Sequence, residues 1–407
     1  MNLKTNIVFI TTLLFIISLY SCSNKYETLD KELNDISKQN KLPGFAVSIV
    51  NEKGIVYQNA FGHADLEHNI LYTTNTVQSV ASVSKTTIGL AIMRLVQEGK
   101  LTLDTPINDI LPFEVTNPNF PNKNITIQHL ATHTSSIIDT ENNYDLRNKY
   151  FIEKTKIDSN ELPEDWLAFF DNYRVNSKLS LSQYCNNVLN SKGAWYGLDT
   201  FSNNEPGSNY QYSNLGANLA AYIVELISGK SFADYTEEIL FKPLKMNNSS
   251  WYVQNVSDSD LAKTYLTQDF TKTPVFGNST YADGGLHTNC KDLSNYLHEI
   301  LKGYAGDGIL IDESAYRTMF TAKLPEGLTK QSNQKKIKNS GVFWMFSENG
   351  EIFHNGGDPL GSMVYMWFNP KTKIGRILMT NYMVEEKESY IQFIEIWNTL
   401  EEYTKKD

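Results

Sequence analysis

Ser82-Val83-Ser84-Lys85 opens a stretch in which Ile88, Ala91, Ile92, Leu95 and Val96 recur at helical spacing, until Glu98-Gly99-Lys100 stops it. The spacing predicts a buried helix with Ser82 and Lys85 in its first turn, on one face. A serine hydroxyl is a poor nucleophile unless a neighbour takes its proton or stabilises the alkoxide. A lysine in a dry pocket can do either, because burial lowers its pKa towards neutrality. The same residues also suit a plain helix cap, with Ser82 bonded to backbone and Lys85 in solvent. A second copy of the spacing, Ser332-Asn333-Gln334-Lys335, lies in a polar, Lys-rich run and reads as an exposed loop.

On either side of this helix the chain reads as α+β. Residues 27–39 place Leu29, Leu33 and Ile36 on one helical face, and Leu42-Pro43-Gly44 breaks it. Phe45 to Val50 and Ile55 to Phe61 read as the strands of a hairpin turned at Asn51-Glu52-Lys53-Gly54. Strand signals return only near the C-terminus, at Glu351 to His354, Ser362 to Phe368 and Ile374 to Thr380. A closing helix follows, expected to carry Ile391, Ile394, Trp397 and Leu400 on one face. Strands at both ends predict one antiparallel sheet with the terminal helices covering a face. Residues 101–276 between them read as a mostly helical region inserted in the α/β part. Within it, residues 138–206 are polar but carry Trp166, Phe169, Phe170, Tyr173, Trp195 and Tyr196. Such an insertion serves either as a substrate wall or as a self-packed elaboration.

A chain of 407 residues with 41% hydrophobic content can bury a large core. The formal charge of -10, with acids and bases interspersed and no basic stripe, argues against nucleic acid as a partner. Lys4 and the apolar run from Ile7 to Tyr20 predict a signal peptide over residues 1–21, too short for the roughly 17 to 25 residues of a membrane span. Leu19-Tyr20-Ser21-Cys22 resembles a bacterial lipobox, although Tyr20 is bulky for that site. It predicts cleavage before Cys22, lipid on its thiol, a tether over residues 22–26 and a folded domain over 27–407. The protein would then be lipid-anchored at the cell envelope, on a periplasmic or extracellular face. An ordinary secretory signal or an uncleaved anchor stays open. Cys185 and Cys290 are either bridged or two buried thiols.

Two further elements carry chemistry. Tyr212-Ser213-Asn214 precedes a second strong helix, with Leu215, Leu219, Ile223, Leu226 and Ile227 on its apolar face and Gly229 past its end. Asn214 suits a helix cap, and Tyr212, at a loop-to-helix junction, can project a phenol into a cleft. His354-Asn355-Gly356 ends a strand candidate, and Gly357 follows. Glycines there let a substrate lie along the strand and leave backbone N–H groups for an oxyanion. His129 and His133 have the i, i+4 spacing of a zinc pair, but no adjoining Glu or third ligand accompanies them, so no metal is expected.

Taken in this order, the three elements resemble the serine β-lactamase and penicillin-binding-protein-like hydrolases, above all the class C branch. D,D-carboxypeptidases, D-aminopeptidases and certain esterases share that fold. The resemblance extends beyond the motifs. Leu42-Pro43-Gly44-Phe45-Ala46-Val47 with Phe61-Gly62-His63-Ala64-Asp65 is similar to the family's opening hairpin. Residues 127–135, Phe241-Lys242-Pro243-Leu244-Lys245-Met246 and Asp283-Gly284-Gly285-Leu286 are similar to further family segments. The resemblance implies a β-lactamase/transpeptidase-like fold with no cofactor. Ser82 would be the nucleophile, Lys85 its activating neighbour and Tyr212 the general base. Asn214, His354, Gly356 and Gly357 would bind substrate, with the N–H groups of Ser82 and Gly357 as oxyanion hole. Two departures stand out. His354 occupies a position where β-lactamases usually carry a lysine, and Ser136 stands where the family usually has glycine.

These readings converge on an envelope-anchored serine hydrolase that attacks amide or ester carbonyls of small peptides, esters or β-lactam-like compounds. A histidine with an ordinary pKa near 6.5 gives no fixed cation for a penicillin carboxylate at pH 7, which favours the peptidase and esterase relatives. Two alternatives are a class C-type β-lactamase or penicillin-binding protein, and a non-catalytic binding lipoprotein of the same fold.

Overall fold

The structure is a computed structural model that describes residues 25–152, 164–266, 269–325, 327–331 and 337–405. Cys22, the signal segment 1–21 and most of Ser332 to Lys335's loop lie outside the described residues. Residues 25 and 26, expected in the tether, are already helical, and Tyr26 stacks on Tyr57 with ring centroids 5.5 Å apart. Among the described residues, no helix is long and apolar enough to cross a membrane.

An eight-stranded antiparallel sheet organises the molecule. Its strands are β1 (Gly44–Asn51), β2 (Gly54–Asp65), β3 (Ile70–Leu71), β4 (Ile337–Ser340), β5 (Met345–Ser347), β6 (Ile352–Asp358), β7 (Ser362–Asn369) and β8 (Ile374–Thr380). They lie in the order β4-β5-β6-β7-β8-β1-β2-β3, so the first and last long strands are neighbours, with Phe45 opposite Thr380 and Asn51 opposite Ile374. Fold class and sheet were legible in the sequence, but the two-residue β3 and the strands β4 and β5 were not. The latter two are short, and Lys338 and Asn339 interrupt the apolar pattern.

Both faces of the sheet are covered, which explains why β1 is buried along nearly its whole length. Side chains alternate across a strand, so Phe45, Val47 and Ile49 enter one core while Ala46 and Val50 enter the other. Over the first face lie α1 (residues 25–37), through Leu29, Leu33 and Ile36, and the C-terminal α6 (Lys387–Lys405). The buried stripe of α6 is Phe393, Ile396, Trp397, Leu400 and Tyr403, while Ile391 is 53% exposed. The stripe expected through Ile391 and Ile394 stepped by three residues, which drifts about 60° per step on a helix of 3.6 residues per turn.

The second face supports the larger core. It contains α2 (Lys85–Gln97), α4 (Asn214–Ser228) and α5 (Cys290–Ala305), while α3 (Glu164–Val175) belongs to the inserted region. In α4, Leu215, Leu219 and Ile223 are at most 1% exposed, and Gly229 ends the helix at φ 69°. Three such side chains contribute about 1.5–3 kcal/mol each by leaving water, which fixes the helix whose first turn borders the site. Cys185 and Cys290 are separate, buried thiols.

Candidate active site

Ser82 lies in a 3-10 turn, Ala81–Ser84, that runs directly into α2. Ala81 just before it takes φ 44°, a left-handed conformation that costs a residue with a Cβ about 1–2 kcal/mol. The turn presents the Ser82 hydroxyl rather than using it as a cap, since it makes no capping hydrogen bond. Lys85 follows on the same face and is fully buried. Its Nζ donates to Ser82 Oγ at 3.0 Å and to the Asp283 backbone oxygen at 2.7 Å.

Burial pulls the Lys85 pKa down from 10.5 to about 8, and the negative charges of Asp283 and Asp139 oppose only part of that. The Asp283 carboxylate receives hydrogen bonds from Tyr144 (2.8 Å) and Asn218. Its pKa is raised, chiefly by burial. Asp139 accepts from Ser213 Oγ (3.1 Å), Asn214 N (2.7 Å) and Leu215 N (2.9 Å), closing the N-terminus of α4, where an anion is favoured. The cap of α4 is Ser213, whose hydroxyl accepts from Gly216 N, so Asn214 is the helix's first residue rather than its cap. Freed from that duty, the Asn214 side chain borders the cavity described below.

Tyr212 stands beside this pair. Lys85 Nζ lies 5.0 Å from its ring centroid, and His133 stacks on its other side at 4.3 Å. The hydroxyl is buried and makes no hydrogen bond of good geometry among the described residues, although Ser82 is near enough to act on it. Burial raises the phenol's pKa well above its ordinary value, so it is protonated at neutral pH. His133 Nδ1 accepts from Ser213 N at 3.2 Å, and His129 Nδ1 accepts from Thr126 N at 3.2 Å. The helix bearing His129 ends at Ala131 and His133 has φ 57°, so the two imidazoles do not form the helical pair that the spacing suggested.

His354, Asn355, Gly356 and Gly357 all lie inside β6, which continues through the glycines instead of turning there. A Cβ on Gly356 would sit 2.2 Å from the Val80 oxygen and 3.0 Å from Ser82 N, so this glycine allows the strand to touch the turn that carries Ser82. His354 is buried, 1% exposed, with Nδ1 against the Asn355 oxygen at 2.9 Å. Burial, with Lys85 nearby, lowers its pKa to about 3, so it is neutral. Ser136, in place of the usual glycine, keeps a glycine-like backbone at φ 65°, and its hydroxyl accepts from Asn117 Nδ2 at 2.9 Å.

Ser82, Asn214 and Gly357 border a cavity of about 370 Å³. Lys85, His354 and the Tyr212 hydroxyl are buried, with Lys85 and Tyr212 beside Ser82. The inserted region divides between both of its expected uses. Trp166, Phe169 and Tyr173 border the cavity, whereas Trp195 packs on Tyr184 and under Arg147. Asp139, Tyr144 and Asn218 escaped sequence reading, because their roles arise only from contacts across the fold.

Ser82, Lys85 and Tyr212 thus meet on a frame of antiparallel sheet and helices, a β-lactamase/transpeptidase-like fold. The chain belongs to the Beta-lactamase family, whose model matches residues 29–400. "Protein flp" of Staphylococcus aureus (strain N315) is 22% identical over 365 residues. That alignment covers 88% of this chain and 64% of the relative, so the chain spans under two thirds of such relatives. The fold is shared with a β-lactamase/D-alanine carboxypeptidase from Yersinia pestis, at 20% identity and a TM-score of 0.67, covering 90% of this chain and 95% of the other. It is shared equally with EstCE1, described as a hydrolase with promiscuous acyltransferase activity, at 19% identity and a TM-score of 0.67, covering 91% and 98%.

Proposed function

We propose that the protein is a serine hydrolase that cleaves amide or ester bonds through an acyl-Ser82 intermediate. The observation that carries this reading is the 3.0 Å contact between Lys85 Nζ and Ser82 Oγ, with the amine buried and its pKa near 8. The neutral amine takes the Ser82 proton as Oγ attacks the carbonyl carbon. The N–H groups of Ser82 and Gly357 receive the developing oxyanion. Tyr212, held protonated, passes a proton to the leaving nitrogen or oxygen and recovers one from Lys85. Water then attacks the acyl carbon by the reverse proton path. Asn214, on the cavity wall, binds the substrate's amide. The neutral His354 offers no charge to a substrate carboxylate, which favours simple esters and peptide-like amides.

Turnover of β-lactams is a second reading, favoured by the family membership. Attachment to the cell envelope through a lipid on Cys22 belongs to the same proposal and rests on the N-terminal sequence. A fluorophosphonate probe tests the central claim. One adduct on Ser82, absent in Ser82→Ala, is expected, together with hydrolysis of p-nitrophenyl acetate. A folded protein that forms no adduct and leaves the ester untouched refutes it. Rapid nitrocefin turnover, lost in Ser82→Ala, selects the β-lactam reading. Mass spectrometry of acyl adducts from peptide, ester and β-lactam libraries identifies the substrate class.

A further inference from the structure

The cavity beside Ser82 is rich in unoccupied acceptors and poor in free positive charge. Lys149 is the one lysine or arginine among the described residues that border it, and its Nζ is held by Asp358 at 3.1 Å, with both side chains under 10% exposed. Asp145 also borders the cavity, and no described residue makes a hydrogen bond or ion pair to its carboxylate. The amide oxygens of Asn148 and Asn278, on the same wall, are buried and have no partner among the described residues. Asn148 is 4% exposed and Asn278 9%.

Another part of the lining is aromatic. Trp166, Phe169 and Tyr173 come from one face of α3, with centroid separations of 5.8 Å and 6.3 Å along the row. This wall is tied to the acidic one. Tyr173's hydroxyl donates to the Asp145 backbone oxygen at 2.9 Å, and Asn176 Nδ2 donates to the Leu146 and Lys149 oxygens at 2.8 and 2.9 Å. Aromatic faces attract cations, a free carboxylate supplies the counter-charge, and unpartnered carbonyls suit N–H donors.

Building on the acyl-serine reading, we propose that this end of the cavity is a subsite for a substrate ammonium group, with Asp145 as counter-ion and Trp166, Phe169 and Tyr173 as its lining. The acceptors at Asn148 and Asn278 select an ammonium that still carries N–H bonds over a quaternary one. The substrate class is thus an ester or amide whose acyl or leaving portion carries an amine. An anionic group in the same place meets Asp145 with no free cation among the described lining residues to balance it.

Two measurements test this independently of each other. Calorimetry with the full protein compares n-butylammonium, tetramethylammonium, n-butanol and butyrate. Hydrolysis compares p-nitrophenyl esters of matched length: 6-aminohexanoate, heptanoate and the monoester of pimelate. The expected result is binding of n-butylammonium in preference to the other three. A kcat/KM at least about tenfold higher for the cationic ester than for the neutral one is also expected, with the anionic ester poorest. In Asp145→Asn the cationic-to-neutral ratio should fall to within about twofold of unity. Trp166→Ala should lower it and Trp166→Phe largely restore it. Charge-blind hydrolysis without ammonium binding, preference for the anionic ester, or a preference that Asp145→Asn leaves intact overturns the proposal. If every ester is inert while n-butylammonium still binds in an Asp145-dependent way, the hydrolase reading fails and the subsite stands.

Discussion

Varying the pH of Ser82 acylation puts the proposed base directly to the test. With a Lys85 pKa of about 8, the free amine is about 1% of the total at pH 6, about 9% at pH 7, half at pH 8 and about 90% at pH 9. Acylation should therefore rise roughly 50-fold between pH 6 and 8 and then level off. The neighbouring phenol and imidazoles do not titrate in that window: burial raises the Tyr212 phenol, while His354, at about 3, and His133 are neutral throughout. The assay is stopped-flow acylation by a fluorophosphonate or by p-nitrophenyl acetate.

The same shift sets the stability of Lys85→Met. Lowering an ammonium from 10.5 to about 8 corresponds to roughly 3 kcal/mol against the folded state at neutral pH, which the variant recovers. Against this stand two lost hydrogen bonds, each about 1 kcal/mol, and the stranded Asp283 oxygen, about 1–3 kcal/mol. The variant should lie within about 2 kcal/mol of the parent by urea denaturation while acylation falls about 10²- to 10⁴-fold. In the parent, the Lys85 penalty is present below pH 8 and fades as pH rises to 10.5, because the unfolded chain then binds the extra proton. A flat acylation profile, or a limb centred near 10.5, would refute the role given to Lys85.

Ser136→Gly removes a left-handed residue, worth about 1–2 kcal/mol, but also the acceptor of Asn117, about 1 kcal/mol. Equilibrium denaturation should find it neutral to slightly stabilised, and a loss above about 2 kcal/mol would contradict the strain. Asp139→Ala leaves two N–H groups and one hydroxyl at the start of α4 without their acceptor, and a loss of about 2–3 kcal/mol is expected in the same experiment. Lys149→Met strands the buried Asp358 carboxylate and should cost about 3–5 kcal/mol, most of it regained in Lys149→Met/Asp358→Leu; a double variant as unstable as the single one would contradict the pairing. Cys185 and Cys290, buried and with Cys290's pKa pushed up to about 12, should react with Ellman's reagent only on unfolding. Prompt labelling of either in the native protein would contradict their burial.

The sequence was most informative where local pattern and tertiary role coincide. Leu29, Leu33 and Ile36 marked a buried face, Asn51 to Gly54 a turn, and Ser82 with Lys85 a shared helical face, because each is decided within a few residues. Gly356 shows the opposite case: its place in a strand was legible, but its packing reason was not, because a Cβ there would collide with the Val80 oxygen and crowd Ser82 N, more than 270 residues away in the chain. Asp139 carried no signal in sequence and Asp283 only a family resemblance, and their burial beside Lys85 gives both their influence. Tyr212 was expected at a loop-to-helix junction, and there its ring stacks on His133 and its buried hydroxyl lies near Ser82, neither of which the sequence could show.

The pairing of β1 with β8 has a consequence for the protein's birth. A ribosome releases the partner of Phe45 only after some 335 further residues, since that partner is Thr380. Until then the opening hairpin has one unfilled edge, and the nucleophile's turn lacks the strand that backs it. Sheets closed by such distant contacts assemble slowly. On the proposed reading, the hydroxyl at Ser82 therefore gains its reactive setting only once β6 has been made, and a chain truncated before β6 should be chemically silent.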